Sequence, residues 1–140
     1  MQILIVEDNN ADALLITEAI KGSNIIKKYQ VVKDGESALK YLNAINNGSK
    51  EFLPDLIILD LSLPKKSGFE VLTEIKNNSL FKKIPVVILT CSDNQENVKK
   101  CYSLHANCYL VKPIELKEYE EMFKTIESFW GEVAALPNLN

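Results

Sequence analysis

"LIILDLSLPKKSGFEVL", residues 56–72, decides how this chain reads. Leu56-Ile57-Ile58-Leu59 is an apolar run of strand length that ends on a carboxylate, Asp60. Pro64 and Gly68 then break the chain, and Phe69, Val71, Leu72 and Ile75 recur at helical spacing. A strand apolar at every position is buried on both faces, as in a parallel sheet covered by helices. An ionised carboxylate is costly to desolvate. At the tip of such a strand it must meet water, a cation or a reaction.

Working outward, the same alternation repeats. Residues 3–6 form a first strand, and Leu14, Leu15, Ala19 and Ile20 mark a helix stopped at Gly22. Glu7 and Asp8 are expected to cap that helix. Residues 29–32 form a weaker strand, Asp34-Gly35 a turn, and Ala38, Leu39, Leu42 and Ile45 a second helix. A polar loop occupies 46–54. Residues 85–89 form the fourth strand, 95–104 a helix, 107–111 the fifth strand and 115–129 a long last helix. Strand and helix in regular alternation predict an α/β fold, a doubly wound parallel sheet whose ligands sit beyond the carboxyl ends of its strands.

Those ends carry the chemistry. The first strand runs into Glu7 and Asp8, the third into Asp60, the fourth into Thr90 and the fifth into Lys112. Three clustered carboxylates against one ammonium would repel or take up a proton. A hard divalent cation, Mg²⁺, balances them through oxygen ligands. A phosphoryl group is then the natural further anion, and Asp60 can take it as an acyl phosphate.

Composition excludes other classes. The chain has 140 residues, a net charge of −3 and a pI near 5.2, so no basic field is available for nucleic acid. No run approaches a membrane span, and the amino terminus lacks the basic flank of a signal peptide. Cys91, Cys101 and Cys108 show no metal or redox spacing and read as reduced, mostly buried thiols of a cytoplasmic protein.

Ile-Val-Glu-Asp (5–8), Leu-Asp-Leu-Ser-Leu-Pro to Gly (59–68), Ile-Leu-Thr-Cys (88–91) and Tyr-Leu-Val-Lys-Pro (109–113) together resemble the receiver domain of two-component response regulators. The resemblance implies a flavodoxin-like five-stranded sheet of order 2-1-3-4-5, with the domain over 1–129 and a C-terminal extension over 130–140. It implies Asp60 as phosphoacceptor. Mg²⁺ would be held by Asp8, Asp60 and the Ser62 backbone carbonyl, with Glu7 acting through water. Lys112 and Thr90 would bind the phosphoryl group, Tyr109 would change rotamer with Thr90, and Lys112–Pro113 would be cis. "LHANCYLVKP" (104–113), "IESFW" (126–130) and the Leu-Pro after it look like small stand-alone regulators of phytochrome-type and related sensor kinases. The implied donor is such a sensor histidine kinase or a histidine phosphotransfer protein, with output by protein contact.

Phe123, Ile126, Phe129, Trp130 and Val133 form a stripe that packs on its own sheet in part. Its far end, beyond Gly131 as a helix stop, either folds back or meets another chain. The partner on this reading is a second copy, across the fourth helix, fifth strand and fifth helix together with the C-terminal tail. Two rival classes fit the sequence less well. An aspartyl phosphohydrolase would place its acid at Ser62, two residues after Asp60, and serine cannot serve. A phosphate-independent interaction module would be expected to lack Asp60, Lys112 or the acidic pair. A flavin site would need a phosphate-cradling loop where Glu7-Asp8-Asn9 stands.

Overall fold

A computed structural model describes all 140 residues. The elements are β1 (Gln2–Val6), α1 (Asn10–Ile20), β2 (Lys28–Val32), α2 (Gly35–Asn46), β3 (Leu56–Leu59), α3 (Gly68–Asn77), β4 (Val86–Thr90), α4 (Gln95–Ser103), β5 (Cys108–Val111) and α5 (Leu116–Ile126). A single 3₁₀ turn (Phe81–Lys83) precedes β4, and a π-helical segment (Glu127–Val133) continues α5. All five strands are parallel, in the expected order β2-β1-β3-β4-β5.

The continuous apolar runs are explained by two cores on opposite faces of the sheet. Alternate strand residues point to opposite sides. Leu4, Val6, Ile57, Leu59, Val86 and Ile88 face α2, α3 and Cys101 of α4. Ile3, Ile5, Leu56, Ile58, Val87 and Leu89 face α1 and α5, where Ile16, Ile20, Tyr119, Phe123 and Ile126 close the second core. The helices differ in how firmly they are seated. α3 buries Val71, Leu72 and Ile75, whereas α4 buries Cys101 alone. A Lys100 ammonium 4.1 Å above the Phe69 ring adds a contact between α4 and the start of α3.

Side-chain caps start the helices: Asn9 for α1, Asp34 for α2, Ser67 for α3 and Asn94 for α4. The cap of α1 is thus Asn9, not Glu7 or Asp8, because those carboxylates are drawn into the site. Gly68 opens α3 where no side chain fits: a Cβ there would lie 2.2 Å from the Asp60 carbonyl oxygen. That close approach brings the α3 amino terminus against the tip of β3.

The C-terminal stripe divides. Phe123 and Ile126 are buried, Trp130 is half-buried, and Phe129 and Val133 are exposed. Gly131 does not stop the helix. It lies within the π-helical segment, pressed on Ile25, whose Cγ2 would be 2.4 Å from an added Cβ. The tail then folds back on its own chain. Leu139 packs against the first core, and the Asn140 amide accepts from the Leu53 N–H (2.8 Å) and donates to the Leu53 carbonyl (3.2 Å). The segment therefore passes from one face to the other beneath the amino ends of the strands. No helix is long and apolar enough to cross a membrane.

Candidate functional site

Backbone bonds just beyond the strand ends fix the site residues. The Glu7 N–H donates to the Val32 carbonyl (3.0 Å), that of Asp60 to Val6 (3.1 Å) and that of Lys112 to Thr90 (2.8 Å). Each residue is held as if its strand ran one step further, so its side chain leaves from a rigid position.

The side chains converge. The Lys112 Nζ donates to Glu7 Oε1 at 2.6 Å, Asp12 Oδ2 at 2.8 Å and Asp60 Oδ2 at 2.9 Å. Glu7, Asp60 and Thr90 are buried polar residues, and Asp8 is exposed at the rim. The Ser62 N–H donates to Asp60 Oδ1 at 3.3 Å. Asp8, Asn9, Asp12, Asp60, Ser62, Thr90, Cys91 and Lys112 line one cleft of about 260 Å³.

Electrostatics follow from this crowding. Burial, then the neighbouring Asp60, pushes the Glu7 carboxyl up to about 8, so it holds a proton at neutral pH. Burial also acts to raise Asp60, but hydrogen bonding with Glu7 and Lys112 outweighs it and holds Asp60 below its usual value. For Lys112 burial acts downward, and hydrogen bonds to the Asp12, Glu7 and Asp60 oxygens, with the charge of Asp60, overcome it and keep the ammonium charged. Oxygens of Glu7, Asp8 and Asp60 lie within 4.8 Å of one another, a donor set suited to a hard divalent cation.

Every residue singled out from the strand ends reaches this end of the sheet. Tyr109 stands slightly apart: it is half-buried, and its hydroxyl donates to the Ser92 carbonyl at 2.7 Å, tying β5 to the loop before α4. One expectation fails. The Lys112–Pro113 bond is trans, as are all others. The strand-like backbone bond of Lys112 already aims its side chain at Asp60, so no cis bond is needed to direct it. Sequence reasoning also missed Asp12. Its only signals were its place four residues after Asp8, one turn along α1, and its acidic charge in the first turn of that helix.

Comparison with known proteins agrees with this geometry. The response regulator receiver domain model matches residues 3–124. The chain is 47% identical to the response regulator Rcp1 of Synechocystis sp. (strain ATCC 27184 / PCC 6803 / Kazusa) over 135 residues, covering 96% of this chain and 92% of that protein. A crystal structure of the Mn²⁺-bound form of Rcp1 superposes with a TM-score of 0.88 at 46% identity, over 98% of this chain and 99% of the other. The phosphorylated cyanobacterial phytochrome response regulator RcpA gives 0.89 at 44% identity, over 98% of each. The fold, the site and the family match agree: this chain belongs to the response regulator receiver domain family, whose members are signalling proteins rather than turnover enzymes.

Proposed function

We propose that this chain accepts a phosphoryl group on Asp60 from the phosphohistidine of a sensor histidine kinase or phosphotransfer protein, and signals by protein contact. The carrying observation is Asp60 itself. It is a carboxylate held ionised at the tip of the central strand by Lys112, in a cleft shared with Asp8, Asp12 and Thr90. In the transfer, an Asp60 oxygen forms the new P–O bond. The P–N bond breaks, its electron pair stays on the histidine nitrogen, and that nitrogen takes up a proton.

Asp8, Asp60 and the Ser62 carbonyl would hold Mg²⁺, with Glu7 acting through water. When bound, the ion offsets the carboxylate charge and that of the phosphoryl oxygens. Lys112 and Thr90 would contact the transferred group, and Tyr109 would move with Thr90. The metal-bound Rcp1 and phosphorylated RcpA support this assignment, and RcpA's link to a phytochrome supports a phytochrome-type kinase. A kinase donor that draws its phosphoryl group from cellular ATP would meet this chain in the cytoplasm, which supports a cytoplasmic location.

Cys108, Leu110, Met122, Ile126, Phe129 and Trp130 line an apolar cleft of about 360 Å³ beside the edge strand β5. This supports the β5 and α5 part of a pairing of two copies across α4, β5 and α5, readable by sedimentation before and after phosphorylation.

Intact-protein mass after incubation with acetyl phosphate tests the chemistry, on the native chain and on Asp60→Asn, with and without Mg²⁺. One added phosphoryl group that needs both Mg²⁺ and Asp60 is the expected result. An adduct that persists on Asp60→Asn would overturn the assignment.

A further inference from the structure

An ammonium has three protons to donate. Those of Lys112 are all taken, by Glu7, Asp12 and Asp60. Lys112 can therefore engage a phosphoryl oxygen only by releasing one of them. Asp60 is the residue that would carry the group. Glu7 has a side chain only 2% exposed, where an unpaired polar group is costly. The Asp12 side chain is 25% exposed, so water can replace the lysine there. Asp12 is the partner most easily given up.

The ordinary account of an acid at this place in a helix is the capping box, in which its carboxylate reaches back to the cap residue. Here the Asn9 side chain accepts from the Asp12 N–H, while the Asp12 carboxylate turns to Lys112. Its charge thus bears on the cleft rather than on the helix end alone.

A second feature lies on the helix that packs against α1. Tyr119, in the first turns of α5, is fully buried, and its hydroxyl is the one buried side-chain polar atom without a hydrogen-bond partner. α5 packs directly along α1, which carries Asp12. Burial first, then the charge of Asp12, pushes this phenol up to about 12, so it remains a donor throughout the neutral range. The site as it stands has a donor without an acceptor, and a lysine turned to the phosphoryl group would leave a carboxylate without its donor.

We propose that Asp12 and Tyr119 are a positioning pair that sets the availability of Lys112. Asp12 competes with the phosphoryl group for the ammonium, and the Tyr119 hydroxyl takes over Asp12 when the lysine turns to Asp60. The inference rests on Asp60 being the phosphoacceptor.

The test is the initial rate of acetyl phosphate labelling, read by intact mass at saturating Mg²⁺ for the native chain, Asp12→Asn, Tyr119→Phe and the double variant. Asp12→Asn removes the competing charge and should raise the rate at low donor concentration by roughly three- to tenfold, the range for one partly screened charge. The gain should shrink at high salt, which a packing defect would not do. Tyr119→Phe leaves Asp12 without its alternative donor and should lower the rate. In the Asp12→Asn background the same change should have no effect, so the two are coupled. A native chain that labels, with Asp12→Asn labelling at the same rate, would overturn the role of Asp12. An undiminished Tyr119→Phe effect in the double variant would overturn the pairing. A native chain that does not label under any donor would count against the phosphoacceptor assignment instead.

Discussion

Glu7 makes metal-free stability depend on pH in a direction opposite to that of most carboxylates. Its folded pKa is raised, so its contribution is complete below its unfolded value of 4.5 and is lost as pH rises through about 8. A rise of that size corresponds to a ceiling of about 5 kcal/mol. Relaxation and water penetration around a buried carboxyl reduce this to roughly 2–3 kcal/mol. Asp60 has the opposite sign: its depressed pKa matters only as pH falls through the acid range, outside this window. The raised Cys101 thiol, pushed up to about 11 by burial, acts only at the alkaline end. Between pH 5.5 and 8.5 the slope therefore belongs to Glu7. In EDTA, the unfolding midpoint should fall across that interval by roughly 6–12 °C, for a domain of this size. Glu7→Gln, which keeps a neutral group of the same shape, should be nearly flat. Mg²⁺ should stabilise the native chain more at pH 8.5 than at 5.5, because at the lower pH it must first displace a proton. A native chain equally stable at both pH values, or a Glu7→Gln chain with the native slope, would refute the reasoning.

Other perturbations follow from packing. Gly68→Ala places a methyl 2.2 Å from the Asp60 carbonyl oxygen, against backbone that cannot step aside, and should cost over about 4 kcal/mol or prevent folding, read by urea unfolding. Gly131→Val drives a branched side chain into Ile25 and should cost about 1–3 kcal/mol, with the loss appearing as a lower melting temperature. Asn140→Ala removes both bonds to Leu53 and should cost roughly 1 kcal/mol, with faster amide exchange at Leu53 as its local sign.

The strands were legible because a parallel sheet covered on both faces leaves no polar position to confuse the pattern. β2, at the sheet edge and exposed over Lys28, Tyr29 and Gln30, was correspondingly the weakest of the strands to read. Glu7, Asp60, Thr90 and Lys112 were legible because each is the first polar residue after an apolar run, and Asp8 because it directly follows Glu7. Asp12 was not, because its role depends on α1 lying against the entry to α5, and an acid in a first turn already has an ordinary explanation. The π-helical turn was hidden for a related reason. Phe129, Trp130 and Val133 keep near-helical spacing, so the side-chain pattern does not distinguish the wider turn from an α-helix. The trans bond at Pro113 leaves no mark in the sequence, since proline is compatible with either isomer.

The slight seating of α4 makes it the helix that would yield first to a signal raised at the proposed site. A helix whose inner face holds one thiol-sized anchor, Cys101, has little dispersion energy to surrender when it tilts. Its neighbours α3 and α5 are fastened by several large side chains and resist the same displacement. On the proposed role of Thr90, a displacement passed through the loop that the Tyr109 hydroxyl holds would meet its softest resistance in α4. The helix behaves as a hinged plate on a rigid frame, and its amides should exchange before those of any other helix in the domain.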